Sequence, residues 1–99
     1  PDKHTKADLL RGEFLYAGLN AFEPGQTQAV HAHAGQDKMY YVLEGAGVIE
    51  VGSESYAAAA GDLVLAPAGV PHGVVNPGPG RLVLMVIFGP PPPVKPSRA

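Results

Sequence analysis

Ninety-nine residues, with seven basic and nine acidic side chains, a formal net charge of −2 and 45 % hydrophobic content, describe one small folded domain with room for a single core. No Lys/Arg cluster recommends nucleic acid or an anionic membrane surface as a partner. The chain has no cysteine, which removes disulfides, thiolate metal sites and cysteine nucleophiles, and no apolar stretch approaches the roughly 20 residues of a membrane span.

Residues 1–12 carry Lys3, His4, Lys6, Asp8 and Arg11 and read as an N-terminal segment, either a frayed start or a short helix. No charged-then-apolar leader is visible there, and a cytoplasmic location is expected, although a leader or initiator Met removed before Pro1 stays open. From residue 13 onward, thirteen Gly and eleven Pro in the whole chain mostly punctuate short apolar runs rather than forming low-complexity sequence. Strands are expected over 13–22, 27–32, 38–43, 47–51, 54–58, 62–66, 73–75 and 81–88. Turn clusters separate them, among them Glu23-Pro24-Gly25, Gly52-Ser53 and the run from Asn76 to Gly80. The four alanines 57–60 are too short a run to hold a helix and read as a strand end and turn. After Gly89 the prolines 90–93 and Pro96 predict an extended tail over 90–99, either a disordered end or a ligand for an aromatic groove. Many short strands joined by tight turns predict an all-β, antiparallel sandwich or barrel over 13–89.

Three of the four histidines fall in two spaced stretches. Gly25, His31, His33, Lys38 and Gly45 make the first, and Gly61, Pro67, Gly69, His72 and Asn76 make the second. A His-x-His pair on a strand presents both imidazoles to one face, because strand side chains alternate with period two. A third imidazole from a distant strand would complete a ligand set with open positions, as catalytic metal sites have. Neutral imidazole suits Fe, Mn, Cu, Ni or Zn, so a divalent transition metal is expected as cofactor, with its identity open. The bland alternative is an exposed strand pair and an unrelated turn histidine; the joint spacing favours one pocket built from His31, His33 and His72.

These stretches resemble the paired motifs of the cupin superfamily, whose members are small jelly-roll β-barrels. The second motif matches at every fixed position; the first departs at one, because the slot where the family usually carries a Glu ligand holds Lys38. The resemblance implies an antiparallel jelly-roll barrel in a single domain and a metal-dependent enzyme acting on a small organic molecule. An iron-type dioxygenase is the leading expectation, since some cupin dioxygenases use three His without the acid. Isomerases, decarboxylases and dehydratases share the fold. The alternative is a non-catalytic binding or sensing module in which Lys38 is the counter-ion of an acidic ligand, and a storage cupin without ligand is a third reading.

A charged lysine cannot ligate a cation and repels one nearby. Its stem could carry the ammonium to solvent, Asp37 or Glu44, its pKa could fall until it acts as a neutral base, or the site could hold no metal. Asp37 could serve as a replacement carboxylate only if the preceding loop were one residue tighter, and reads better as a solvated turn residue. Alternation from Lys38 turns Tyr40 and Val42 inward, placing Lys38 and Tyr40 in the expected substrate pocket, Tyr40 as packing or as a proton donor. Met39, Tyr41 and Leu43 then form an outward apolar stripe, for which a homodimer is expected.

Overall fold

The computed structural model describes residues 3–91. Nine strands follow in chain order: β1 (Thr5–Arg11), β2 (Tyr16–Phe22), β3 (Thr27–His31), β4 (Asp37–Glu44), β5 (Ala46–Val51), β6 (Glu54–Ala59), β7 (Leu63–Ala66), β8 (His72–Val75) and β9 (Leu82–Gly89). No helix occurs among the described residues, and so none is long and apolar enough to cross a membrane. Every pairing between strands is antiparallel. A five-stranded sheet runs β1-β2-β9-β4-β7, and a four-stranded sheet runs β3-β8-β5-β6.

Alternation decides which face of each strand is covered. In β4, Lys38, Tyr40 and Val42 are buried while Met39 and Tyr41 are half-buried; in β9, Leu82, Leu84 and Val86 are buried. Tyr40, Val42 and the three β9 side chains meet Phe22 of β2, Ile49 of β5 and Val74 of β8 in one core between the sheets. Full burial of each such aliphatic or aromatic side chain contributes about 1.5–3 kcal/mol, which is what the ladders need to hold together in a chain this short.

The barrel rim is fixed by Asn76 and by glycine turns. Fully buried Asn76 donates from Nδ2 to the carbonyls of Phe22 (2.8 Å) and Gly80 (2.9 Å), and accepts from the Gly78 N–H at Oδ1 (2.9 Å). Gly45 turns β4 into β5 with φ of 79°, and a Cβ there would lie 2.0 Å from the Arg81 carbonyl oxygen, so both the dihedral and the space demand glycine.

Several element boundaries differ from the expected ones. The N-terminal segment is neither frayed nor helical over 5–11: it is β1, paired with β2 from Thr5↔Ala21 to Arg11↔Tyr16. All seven of its residues are exposed, so no buried periodicity marked it in the sequence; ladder hydrogen bonds hold it. β2 starts at Tyr16 rather than residue 13, because Gly12 N–H donates to the Leu15 carbonyl at 2.7 Å and closes a turn first. β3 ends at His31, and β8 begins at His72. The alanine run does end a strand, at Ala59. Most of the expected proline-rich tail, residues 92–99, lies outside the described residues.

Candidate metal centre and cavity

His31 and His72 are directly opposed across the β3–β8 ladder. Simple alternation does not bring this about. Gln28 pairs with Val74, two residues from His72, whereas His31 stands three residues from Gln28. The extra residue is a β-bulge between Gln28 and His31, and it lets Gln28 and His31 share the inner face despite their odd spacing. His33 lies two residues beyond, in the loop to β4, where its carbonyl accepts the Gly69 N–H at 3.0 Å and ties that loop to the turn before β8.

The three rings converge. Centroids are 4.7 Å apart for His31 and His33, 4.4 Å for His31 and His72, and 5.7 Å for His33 and His72. One ligand atom from each lies within 4.8 Å of the others. His31 Nδ1 contacts the Ala29 carbonyl at 2.8 Å and His72 Nδ1 contacts the Val70 carbonyl at 3.0 Å. A carbonyl only accepts, so each Nδ1 carries the proton and each Nε2 keeps its lone pair. His72 Nε2 is buried and has no hydrogen-bond partner in the protein. Burial, followed by the charges of His31, Lys38 and Lys6, holds His33 below the ordinary histidine pKa. Burial also lowers His72, with the Val70 hydrogen bond opposing. Three imidazole nitrogens this close, two of them on rings whose tautomer a carbonyl fixes, are what a transition metal requires, so this donor set fits one.

Lys38 is 2 % exposed, so its stem does not carry the ammonium out to solvent, Asp37 or Glu44. Nζ lies 4.8 Å from the ring centres of both Tyr40 and Phe88, and burial followed by the charge of Lys6 lowers its pKa to about 8. Tyr40 is fully buried; its ring stands 6.2 Å from His72, its hydroxyl has no hydrogen-bond partner in the protein, and burial raises its pKa, so the phenol stays protonated. Phe88 meets His33 edge to face at 6.1 Å. Asp37 is apart from the cluster: exposed at the start of β4, it accepts the Ala68 N–H at Oδ1 (2.9 Å).

An open cavity of about 1510 Å³ connects His31, His33, Lys38 and Phe88 to residues of β1. Phe88, His4 and Gln28 are among the lining side chains that the sequence did not point to. His4 stacks on Phe22, with centroids 4.5 Å apart and planes 12° from parallel. The alternation His4, Lys6, Asp8 was the available signal, obscured because the segment has no apolar face to set beside it.

A sequence model of the cupin domain matches residues 18–88, most of the barrel. The chain is a cupin. It is 39 % identical over 83 residues to an uncharacterized protein of Streptomyces coelicolor, an alignment covering 84 % of this cupin and 77 % of that protein. It is 30 % identical over 87 residues to the oxalate-binding protein of Thermotoga maritima, covering 83 % and 72 % of the two chains. Among solved structures, TT1209 from Thermus thermophilus superposes with a TM-score of 0.88 at 43 % identity, over 93 % of this cupin and 88 % of that chain.

Proposed function

We infer that this cupin holds a divalent transition metal on His31, His33 and His72 and binds a small organic acid beside it, with Lys38 as the acid's counter-ion. The observation that carries the reading is the buried ammonium of Lys38 in the same cavity as the imidazoles of His31 and His33. A cation buried to that degree costs free energy unless an anion joins it, and a carboxylate satisfies both the ammonium and a metal with open positions.

For the reaction, the proposal is a dioxygenase. A metal held by His31, His33 and His72 would supply activation of oxygen and of the acid. The protein's own groups have separate tasks. Lys38 fixes the carboxylate, Tyr40 with its protonated hydroxyl donates a hydrogen bond to the bound acid, and Phe88 and Tyr40 keep bulk water from the inner wall. The test is oxygen consumption by the iron-loaded protein across a panel of small carboxylic acids, beside the double variant His31→Ala, His33→Ala. Uptake with one acid and none in the variant supports the enzyme. Saturable acid binding with no uptake under any metal supports instead a non-catalytic binding module, the reading favoured by the buried Lys38 and by the name of the Thermotoga maritima relative.

A homodimer belongs to the same proposal. By register, Ala17, Leu19, Met39, Tyr41, Met85 and Ile87 share the outer face of the five-stranded sheet, continued by Leu63 and Leu65 at 62 % and 58 % exposure. An apolar face of that extent on a 99-residue chain is suited to a two-fold contact with a second copy. Light scattering on the wild type and on Leu65→Glu should give a dimer and a monomer; a monomeric wild type at micromolar concentration removes the proposal.

A further inference from the structure

Four buried side-chain polar atoms have no hydrogen-bond partner among the described residues: His4 Nε2, Gln28 Oε1, Tyr40 Oη and His72 Nε2. His72 belongs to the metal centre and Tyr40 stands beside it. His4 and Gln28 are neither ligands nor neighbours of the ligands in sequence, yet both line the same cavity as His31, His33 and Lys38. Their chemistry differs from that of the Lys38 end.

His4 makes a backbone hydrogen bond with Thr27, and since Nε2 is the unpartnered nitrogen, that bond uses the Nδ1–H. Nε2 of the neutral ring is then an acceptor, and the stack on Phe22 fixes the plane in which its lone pair points. Gln28 is held inward by its pairing with Val74, and its Oε1 is also an acceptor. A group seated between these two must be a donor. A carboxylate has no proton to give and would be repelled. A hydrocarbon would leave both acceptors buried without a partner. An ammonium could donate, but Lys3, Lys6, Arg11 and Lys38 line the cavity against the single carboxylate of Asp8, and that excess of positive charge disfavours a further cation. A neutral hydroxyl is the remaining group: its single proton goes to His4 Nε2, and its oxygen accepts from the Gln28 side chain once that amide is turned to present Nε2.

Size points the same way. A two-carbon acid at the metal would fill only a small part of a cavity of about 1510 Å³ that continues beneath β1. We propose that the acid bound beside Lys38 is a hydroxy acid whose hydroxyl gives its one proton to His4 Nε2 and accepts at its oxygen from the Gln28 amide, turned to present Nε2. The proposal rests on the carboxylate reading given above and adds the second recognition element.

Succinate, malate and tartrate test it, because they share one carbon chain and two charges and differ only in carrying zero, one or two hydroxyls. Calorimetric titration of each into the metal-loaded chain, into His4→Phe and into Gln28→Met gives the discrimination directly. His4→Phe keeps a ring to stack on Phe22 and Gln28→Met keeps side-chain length, so each removes one polar partner of the hydroxyl with little change of shape. Malate or tartrate is expected to bind the wild type at least tenfold tighter than succinate, and the ratio is expected to fall below about threefold in either variant while succinate affinity holds. Equal affinity for all three acids in the wild type overturns the proposal and leaves the carboxylate reading standing. A preference retained in both variants also overturns it, since the hydroxyl is then recognised at the metal. Binding of none of the three removes both readings. Should His4→Phe lose its cooperative thermal transition, the Gln28→Met ratio decides alone.

Discussion

Replacing Lys38 with methionine should tighten metal binding, and by an amount that depends on pH in a defined way. The ammonium lies 4.8 Å from the Phe88 ring, which lies 6.1 Å from His33, and 4.8 Å from the Tyr40 ring, which lies 6.2 Å from His72. It is therefore within about 11 Å of both rings, and at an effective dielectric of about 20 a dication there repels it by about 3 kcal/mol or more. The repulsion has a limit, because a lysine whose pKa is lowered to about 8 can lose its proton instead. Deprotonation costs about 1.4 kcal/mol at pH 7 and about 2.7 kcal/mol at pH 6, and nothing once the pH exceeds the pKa. Lys38→Met, close in volume and without charge, is thus expected to bind metal about tenfold tighter than wild type at pH 7, about a hundredfold tighter at pH 6, and equally at pH 9. Competition with a chromogenic chelator for Zn or Co(II) reads these ratios once each is corrected for proton competition at His33 and His72, whose pKa values the Lys38 charge lowers in the wild type. A ratio that stays constant from pH 6 to pH 9 would show that the ammonium does not act on the metal and would refute the reasoning.

Three further outcomes test the fold around the site. Asn76→Ala removes partners from the carbonyls of Phe22 and Gly80 and from the Gly78 N–H, and should cost about 2–4 kcal/mol, seen as a fall in melting temperature of roughly 10–20 °C. Gly45→Ala and Gly61→Ala form a matched pair, both with positive φ (79° and 95°), but only at Gly45 would the new Cβ meet an atom, the Arg81 oxygen at 2.0 Å. Chemical denaturation should therefore show a loss of about 1 kcal/mol at Gly61 and about 3 kcal/mol at Gly45; equal losses would refute the steric account. His4 sits below its ordinary pKa of 6.5, mainly because it is buried. The unfolded chain then takes up a proton more readily as pH falls through 6.5, so stability is full above that value and declines below it. In metal-free protein, His4→Phe should shallow that acid decline in denaturation midpoints measured from pH 7.5 to pH 5.

The parts of this chain that were legible in its sequence are those where spacing and stereochemistry leave one solution. Gly45 and Gly61 occupy turns with positive φ, and Asn76 closes the rim with three hydrogen bonds, so the motif spacing that contains them predicted strands, turns and barrel together. What escaped depends on contacts that carry no period. β1 covers nothing with an apolar face, and only its ladder with β2 makes it a strand, which is why His4 was not placed at the cavity. The bulge after Gln28 is equally silent. Strict alternation from inward Gln28 turns His31 outward, and the argument from a His-x-His pair needs a strand that continues to His33, whereas β3 stops at His31. The triad forms because the bulge reorients His31 and because the Gly69 to His33 hydrogen bond holds the loop against β8, two local departures from regular structure at the place where donors converge. Lys38 is the third such departure. Its inward start follows from β4 alternation, but the sequence left its end point open among solvent, a carboxylate and the cavity, and the rings of Tyr40 and Phe88 decide it for the cavity. A metal ligand at this slot would bind only the ion, whereas a buried ammonium is relieved by an anion in the cavity or by loss of its proton, and the first of these two routes is why the one residue that departs from the family motif directs the search toward acids.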